Sequence, residues 1–394
     1  MTLLYSTATG DGPGTHVLAI GVGNYPHLLG GSGPLAERPL GLGQLESPPV
    51  SLIALLSWLL APTINPRVVG LANPQAPLAS VAALGSSNTP ISITTPGGNH
   101  LLAAATLTSI QNAFDEWLER VQRHPDNVGV FYFCGHGVMV ADHYLLAEDF
   151  GADRRRPWEN GFNITTTMRA LEREVAGALY YFIDACREVP RDMLFTQGSE
   201  PAALTPIDLE KESIRRSVTA LFATGEGQLA FSRPGGNVSR FTSALLGALS
   251  GYCGVKEIGS RRWIVDGEIL AAAVRKLLDF ELINNQGNLP SQTIDHRING
   301  RSIPLISAQT APKVKVWIDL SPPDQRSSYE LYLQHFRGQR TAQIHTDQAF
   351  QVEVQPGFYE VGAIGASADF PSMVHPDEQL DPPVYPLTFK VINP

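Results

Sequence analysis

Two residues able to perform nucleophilic chemistry, His136 and Cys186, follow two apolar runs in the same manner. Val128, Val130, Phe131, Tyr132 and Phe133 lead into Cys134-Gly135-His136-Gly137. Leu179, Tyr180, Tyr181, Phe182 and Ile183 lead into Asp184-Ala185-Cys186-Arg187. A thiol is mostly protonated near neutrality and attacks a carbonyl efficiently only when a base or a positive environment favours the thiolate. An imidazole can act as that base and then protonate a leaving amine. The fifty-residue separation is too long for a local metal clip but suits neighbouring strands joined by a helical crossover. It predicts a Cys186/His136 dyad at the carboxyl edge of an open sheet, where such folds place their chemistry. Gly135 and Gly137 let the backbone come close to a substrate, so the N–H groups of Gly137 and Cys186 are the candidate oxyanion donors. Buried cysteines at strand ends are commonly inert and a lone histidine commonly satisfies a core hydrogen bond; the matched pair is what argues for chemistry. Cys134 and Cys253 read as core thiols.

The elements that must hold this pair are visible in the periodicity. His16–Gly21 reads as a first interior strand, and Leu52–Leu60 as a short buried helix. The Gly21-Val22-Gly23-Asn24 stretch lacks both the full dinucleotide fingerprint and the phosphate-loop Lys, so it reads as a strand-end turn. Residues 62–100 are rich in Pro, Gly, Ser and Asn and read as long loops flanking one strand near Val68-Val69. Ile110, Ala113, Phe114, Trp117, Leu118 and Val121 form a helical stripe, the crossover helix before the histidine strand, with Trp117 in the core. A hairpin-like segment from Tyr144 to Asp149 leads to a solvated Arg154-Arg155-Arg156 loop. Asn163 or Thr165 then caps a helix running to about Val175. Residues 190–217 read as an exposed linker. Beyond it come a strand at Ser217–Thr224 and helices at Phe241–Gly251 and Ile269–Leu282, with closure near Ile306. The period then changes to two: Val314, Val316, Ile318 and Leu320, then Phe350, Val352 and Val354, a Pro356-Gly357 turn, Tyr359 with Val361, and a last strand at Leu387–Ile392. The expected architecture is an α/β domain over residues 1–308, a sheet flanked by helices, followed by a small all-β sandwich over 309–394.

Composition narrows the function classes. The 394 residues are 43% hydrophobic and 17% charged, as in a globular protein, and the net charge of −9 argues against a general nucleic-acid binder. Three cysteines cannot all pair and none forms a CxxC knuckle, so neither a disulfide framework nor a metal site is expected. The N-terminal residues lack a signal-peptide pattern, and the apolar stretch Leu52–Ala61 is too short to span a bilayer. A reducing cytoplasm, no membrane association and no cofactor are the expectations; no DxDxDG loop is present, and calcium dependence stays open.

The segments Phe131–Val138 (FYFCGHGV) and Tyr181–Arg187 (YFIDACR) resemble the histidine and cysteine elements of the caspase, metacaspase and paracaspase clan of cysteine peptidases, with the caspase spacing. Val17–Tyr25 resembles the first strand of that clan and its IGxxxY ending, and Leu221–Phe231 with Phe241–Leu249 resembles the strand and helix after the cysteine, so the likeness spans about residues 15–306. It implies a caspase-like fold and a cysteine endopeptidase with Cys186 as nucleophile and His136 as general base and acid. Asp184 stands where true caspases have Gln and metacaspases have Asp. A desolvated carboxylate there selects a cationic side chain, so the resemblance implies cleavage after Arg or Lys. The second pocket acid of metacaspases is missing at Ser47-Pro48-Pro49-Val50-Ser51, and Glu226 is the candidate replacement. Maturation of such enzymes by cleavage marks Arg191, Lys211, Arg215 and Arg216 as self-processing sites. The implied partners are a protein or peptide substrate and an activating or recruiting protein bound by the β domain. Two rival readings are a catalytically silent or latent caspase-like scaffold and a Cys-hydrolase of non-peptide amides or esters.

Overall fold

The two chemistry-bearing strands are apolar on both sides because both sides are covered. A strand buried on two faces needs no polar alternation, the pattern of an interior parallel strand. The computed structural model describes all residues except 1, 8–11, 66–69, 176, 189–199, 209, 211–216, 228–235, 286–288, 337, 345 and 392–394. In chain order its first elements are β1 (Thr2–Ser6), β2 (Thr15–Val22), α1 (Ser47–Ile64), β3 (Leu78–Ser86), β4 (Ser92–Thr95), β5 (Gly98–Leu101), α2 (Leu107–Gln122) and β6 (Val128–Cys134). There follow β7 (Gly137–Met139), β8 (His143–Leu146), β9 (Gly161–Asn163), α3 (Ile164–Leu171), β10 (Ala178–Asp184), β11 (Ser217–Phe222) and α4 (Arg240–Gly247). Then come β12 (Val255–Lys256), β13 (Trp263–Val265), α5 (Gly267–Asn284), β14 (Asp295–Asn299) and β15 (Ile306–Ala308).

The central sheet has the order β1-β3-β2-β6-β10-β11-β14. Its inner five strands run parallel, and β1 and β14 close the two edges antiparallel, giving a mixed sheet. Successive side chains alternate between two cores. Val130 and Tyr132 of β6 and Tyr180 and Phe182 of β10 face the core under α1, α4 and α5. Phe131, Phe133, Tyr181 and Ile183 face the core under α2 and α3. The α2 stripe is buried as its spacing requires, and Trp117 anchors it by donating its indole N–H to the His16 carbonyl at 3.0 Å. Truncating such a buried aromatic costs about 3–5 kcal/mol. Asn163 caps α3 by accepting from the Thr166 N–H at 2.8 Å, and Arg154, Arg155 and Arg156 lie on an exposed loop.

Three features differ from the sequence reading. Residues 62–100 hold the interior strand β3 and the β4–β5 hairpin; the expected Val68-Val69 strand lies outside the described residues. β3 reads LASVAALGS, and its small residues fit a slot so tight that a Cβ on Gly85 would come within 2.8 Å of Ile91. Such a strand lacks the β-branched signature. β1, at the sheet edge, had no signal of its own. The first helix, α1, is longer than its central apolar run, starting on Pro48-Pro49, and its 18 residues are long and apolar enough to cross a membrane by length and composition alone. In the fold its Leu52, Leu55, Leu56, Leu59 and Leu60 cover the sheet.

Among the described residues seven further strands follow: β16 (Val314–Ser321), β17 (Tyr329–His335), β18 (Arg340–Ile344), β19 (Phe350–Val354), β20 (Gly357–Gly365), β21 (Met373–Leu380) and β22 (Val384–Lys390). They form a three-stranded sheet β19-β16-β22 and a four-stranded sheet β18-β17-β20-β21. The inner faces share a core of their own that includes Val316, Ile318, Leu331, Leu333, Val361 and Phe389. This layer meets the rest of the chain where Trp317 lies edge-on to Phe280 of α5 and Lys315 sits 4.3 Å from the centre of the Tyr252 ring.

Candidate active site

The register of β6 against β10 pairs Cys134 with Asp184, so the tips carrying His136 and Cys186 leave the sheet side by side. The Gly135 N–H continues the pairing by donating to the Asp184 carbonyl at 3.2 Å. Beyond it, a Cβ on Gly137 would lie 2.7 Å from the Cys186 carbonyl oxygen and 2.8 Å from Ala185 Cβ, so the two turns touch at a point that only glycine fits.

The His136 ring is buried and oriented. Its Nε2 lies 2.7 Å from the Gly43 carbonyl oxygen. A carbonyl only accepts, so Nε2 carries the proton and, in the neutral ring, Nδ1 holds the free lone pair. Burial pushes the imidazole down to about 4, which keeps it in the neutral, proton-accepting form near neutrality. Tyr25 braces it twice: the rings lie 4.7 Å apart, and the Tyr25 hydroxyl accepts the His136 backbone N–H at 2.8 Å. Gln44 holds the Gly43 segment by accepting the Tyr25 N–H at 2.8 Å and donating to the carbonyls of Tyr25 at 2.9 Å and Leu29 at 3.2 Å.

Cys186 is half-buried, and its sulfur is close enough to the Tyr25 hydroxyl to act on it electrostatically. Its backbone is gripped from both sides. Towards the β7–β8 hairpin, His143 Nε2 lies 3.0 Å from the Cys186 carbonyl and the Met139 N–H donates to the Glu188 carbonyl at 3.1 Å. On the other side the buried Arg187 donates to Asp295 at 2.6 Å and Glu226 at 3.1 Å and stacks on Phe222 at 4.5 Å. The ladder also fixes the amide of Gly137. The Leu146 N–H donates to the His136 carbonyl and the Met139 N–H to Glu188, so alternation directs the Gly137 N–H towards the cysteine segment.

The acids fall in three different settings. Strand parity turns Asp184 to the α4 side, where it is fully buried and accepts from the hydroxyls of Ser239, the N-cap of α4, and Thr242, the latter at 2.6 Å. Burial raises this carboxyl and the two hydroxyls pull it back down. Glu226 is exposed and spends one oxygen on Arg187. Glu46, which the sequence reading passed over, is exposed just before α1, next to Gly236 in the segment leading to Ser239. Cys134 and Cys253 are buried, and burial raises both thiols. Among the described residues no group of three His, Cys, Asp or Glu side chains could hold a metal ion.

The family model of the Caspase domain matches residues 99–310, which contain both tips. The chain belongs to the caspase-domain family. An uncharacterised protein of Sinorhizobium fredii (strain NBRC 101917 / NGR234), y4kE, is 33% identical over 266 residues, covering 66% of this chain and 75% of that protein. Among solved structures, caspase-1 of Spodoptera frugiperda is similar at a TM-score of 0.40 and 11% identity, covering 79% of this chain and 96% of that one. A second solved structure, pro-sf-caspase-1, is similar at a TM-score of 0.36 and 11% identity, covering 76% of this chain and 92% of that one. The mixed sheet flanked by helices is thus a caspase-like peptidase fold, followed here by the C-terminal β sheets.

Of the expected linker, the described part is pinned to the caspase domain rather than free. Leu204 is buried, with its N–H donating to Thr167 Oγ1 at 3.0 Å, and the Ala202 carbonyl accepts from the Asn163 N–H at 2.9 Å. Arg191, Lys211, Arg215 and Arg216 lie outside the described residues. The braces Tyr25, Gly43 and Gln44 carried no catalytic signature; only the IGxxxY ending pointed to the first. His143, just ahead of the Tyr144–Asp149 segment, drew no reading from the sequence.

Proposed function

We propose that the protein is a cysteine endopeptidase in which Cys186 is the nucleophile and His136 the base and acid. The observation that carries this reading is the bond from His136 Nε2 to the Gly43 carbonyl beside the cysteine tip. That bond occupies Nε2 as a donor and leaves the Nδ1 lone pair of the neutral ring as the acceptor a general base needs. In the reaction, Nδ1 of His136 takes the thiol proton as Cys186 Sγ bonds to the scissile carbonyl carbon. The developing oxyanion accepts from the N–H groups of Gly137 and Cys186. Collapse breaks the C–N bond while His136 returns the proton to the leaving amine, and water then hydrolyses the thioester.

For specificity we propose Arg or Lys at P1. Asp184 lies beneath the Ser239 turn and Glu46 beside Gly236, so the segment 236–239 is flanked by two carboxylates next to the histidine brace. Glu226 is assigned a different task, holding Arg187 and through it the cysteine turn. The C-terminal sheets, residues 309–394 as a unit, would recruit a substrate or partner, and processing in the 190–217 segment would fall at its basic residues. Because the thiol works in a reducing compartment, a cytoplasmic setting accords with this proposal.

The test is turnover of matched fluorogenic peptides with Arg, Lys, Asp or Ala at P1, with and without calcium, with Cys186→Ala as control. Turnover of the Arg and Lys peptides that the control abolishes supports both parts. Turnover of only the Asp or Ala peptides keeps the dyad and removes the acidic pocket, and turnover that survives in Cys186→Ala removes the dyad.

A further inference from the structure

The hairpin β7–β8 does more than follow the histidine turn: its far strand begins with a histidine aimed at the cysteine turn. His143 is 1% exposed, and its Nε2 lies 3.0 Å from the Cys186 carbonyl oxygen. That carbonyl only accepts, so the ring donates through Nε2. Its Nδ1 is buried with no hydrogen-bond partner among the described residues, so the bond to Cys186 is the ring's hydrogen bond there. The ring is fixed on every side. The His143 N–H donates to Thr165 Oγ1 at 2.9 Å, the Phe222 ring lies 6.0 Å away, and a Cβ on Gly137 would come within 2.7 Å of Nε2. Burial, with Arg187 close enough to oppose protonation as well, pushes the imidazole down to about 3.

We infer that His143 is a positioning residue for the nucleophile. Resting on the reading of Cys186 as nucleophile, the inference is that the His143 hydrogen bond sets the peptide plane of Cys186, and with it the direction of the thiol and of the next N–H groups. The geometry explains why. Residue 186 lies just past the end of β10, at the turn that the hairpin faces. The bond from Met139 fixes Glu188 two residues later, and Arg187 fixes the side chain between them. His143 holds the carbonyl of residue 186 itself, and because it belongs to the hairpin that starts at Gly137, it ties the cysteine turn to the histidine turn.

Two substitutions separate the hydrogen bond from the packing. His143→Phe keeps a ring against Phe222 and removes the donor. His143→Gln removes the ring but places an amide N–H the same number of bonds from Cβ. Each variant and the wild type are alkylated with iodoacetamide under native conditions, with the rate at Cys186 followed by peptide mass spectrometry, and are assayed on the Arg peptide. The expected result is a loss of about 30- to 100-fold in kcat and in alkylation rate for His143→Phe, an unchanged KM, and recovery to within about threefold in His143→Gln, the range for misplaced reacting groups. Equal rates in all three proteins, or equal losses in both variants, overturn the inference. An alkylation difference in a wild type that turns over no peptide sinks the peptidase reading while upholding the positioning role.

Discussion

Gly137→Ala puts the tightest contact of the site under a direct load. The added methyl would lie 2.7 Å from the Cys186 carbonyl oxygen, 2.7 Å from His143 Nε2 and 2.8 Å from Ala185 Cβ. Ordinary contact begins near 3.4 Å, so the neighbours must retreat by about 0.7 Å. None of them is the free end of a flexible chain: two belong to the cysteine turn and the third to a clamped ring. The turn therefore moves as a unit and takes the thiol with it. Overpacking of this kind costs about 1–3 kcal/mol, which at roughly 2–4 °C per kcal/mol for a domain of this size lowers Tm by roughly 2–12 °C. The protein stays folded. A shift approaching 1 Å at a reacting group costs on the order of a hundredfold in rate. The assay is kcat and KM on the Arg peptide beside a thermal melt, with Gly247→Ala as control. That residue sits in α4, where an added Cβ meets only Leu277 at 3.4 Å, so the control gains about 0.5–1 kcal/mol and keeps its activity. Wild-type kcat in a folded Gly137→Ala protein would refute the claim that the two turns are in functional contact.

Further outcomes follow from other parts of the site. His136 and His143 titrate at about 4 and about 3 in the fold, against an ordinary value of 6.5. The unfolded chain therefore binds more protons below pH 6.5, and stability, complete above that value, falls as the pH drops towards 4 and 3. Each histidine accounts for on the order of 3–5 kcal/mol, and urea unfolding followed from pH 7 to pH 4 should show the slope, which flattens in His143→Phe. Gln44→Ala unties the loop that carries the Gly43 carbonyl from Tyr25 and Leu29 and should lower kcat about tenfold or more with KM unchanged, whereas a change in KM alone would refute its bracing role. Asp184→Ala strands the hydroxyls of Ser239 and Thr242 and should cost about 1–3 kcal/mol; Asp184→Asn, which keeps an acceptor oxygen, should recover most of that in a urea melt while still losing the preference for cationic peptides.

What the sequence disclosed, and what it hid, divides along physical lines. Burial on two faces leaves a run such as Val128–Cys134 or Ala178–Asp184 with one reading, an interior strand, and a glycine-rich or polar tip marks where it ends. The α2 stripe is equally plain because one face is wet. β3 was missed because its slot demands Ala, Ser and Gly, residues that loops also use. The support of the histidine was hidden for another reason. Gly43 contributes only a backbone carbonyl, which every residue possesses, and Gln44 acts through three backbone groups brought near by the loop rather than by spacing. Glu226 illustrates the converse: its charge was visible, but its partner, Arg187, meets it only in the folded state. Parity could have shown that Asp184 faces α4, since Tyr180 and Phe182 on the same face already do.

The most direct test of the account is covalent capture of the nucleophile. Folded protein is incubated with an arginine-containing peptidyl acyloxymethyl ketone, and tandem mass spectrometry locates the adduct in wild type and in His136→Ala. The account predicts a thioether on Cys186, none on the buried Cys134 and Cys253, and a labelling rate at least about a hundredfold lower in His136→Ala, the general-base contribution. An adduct on another cysteine of the folded protein, or Cys186 labelling that is indifferent to the loss of His136, would contradict it.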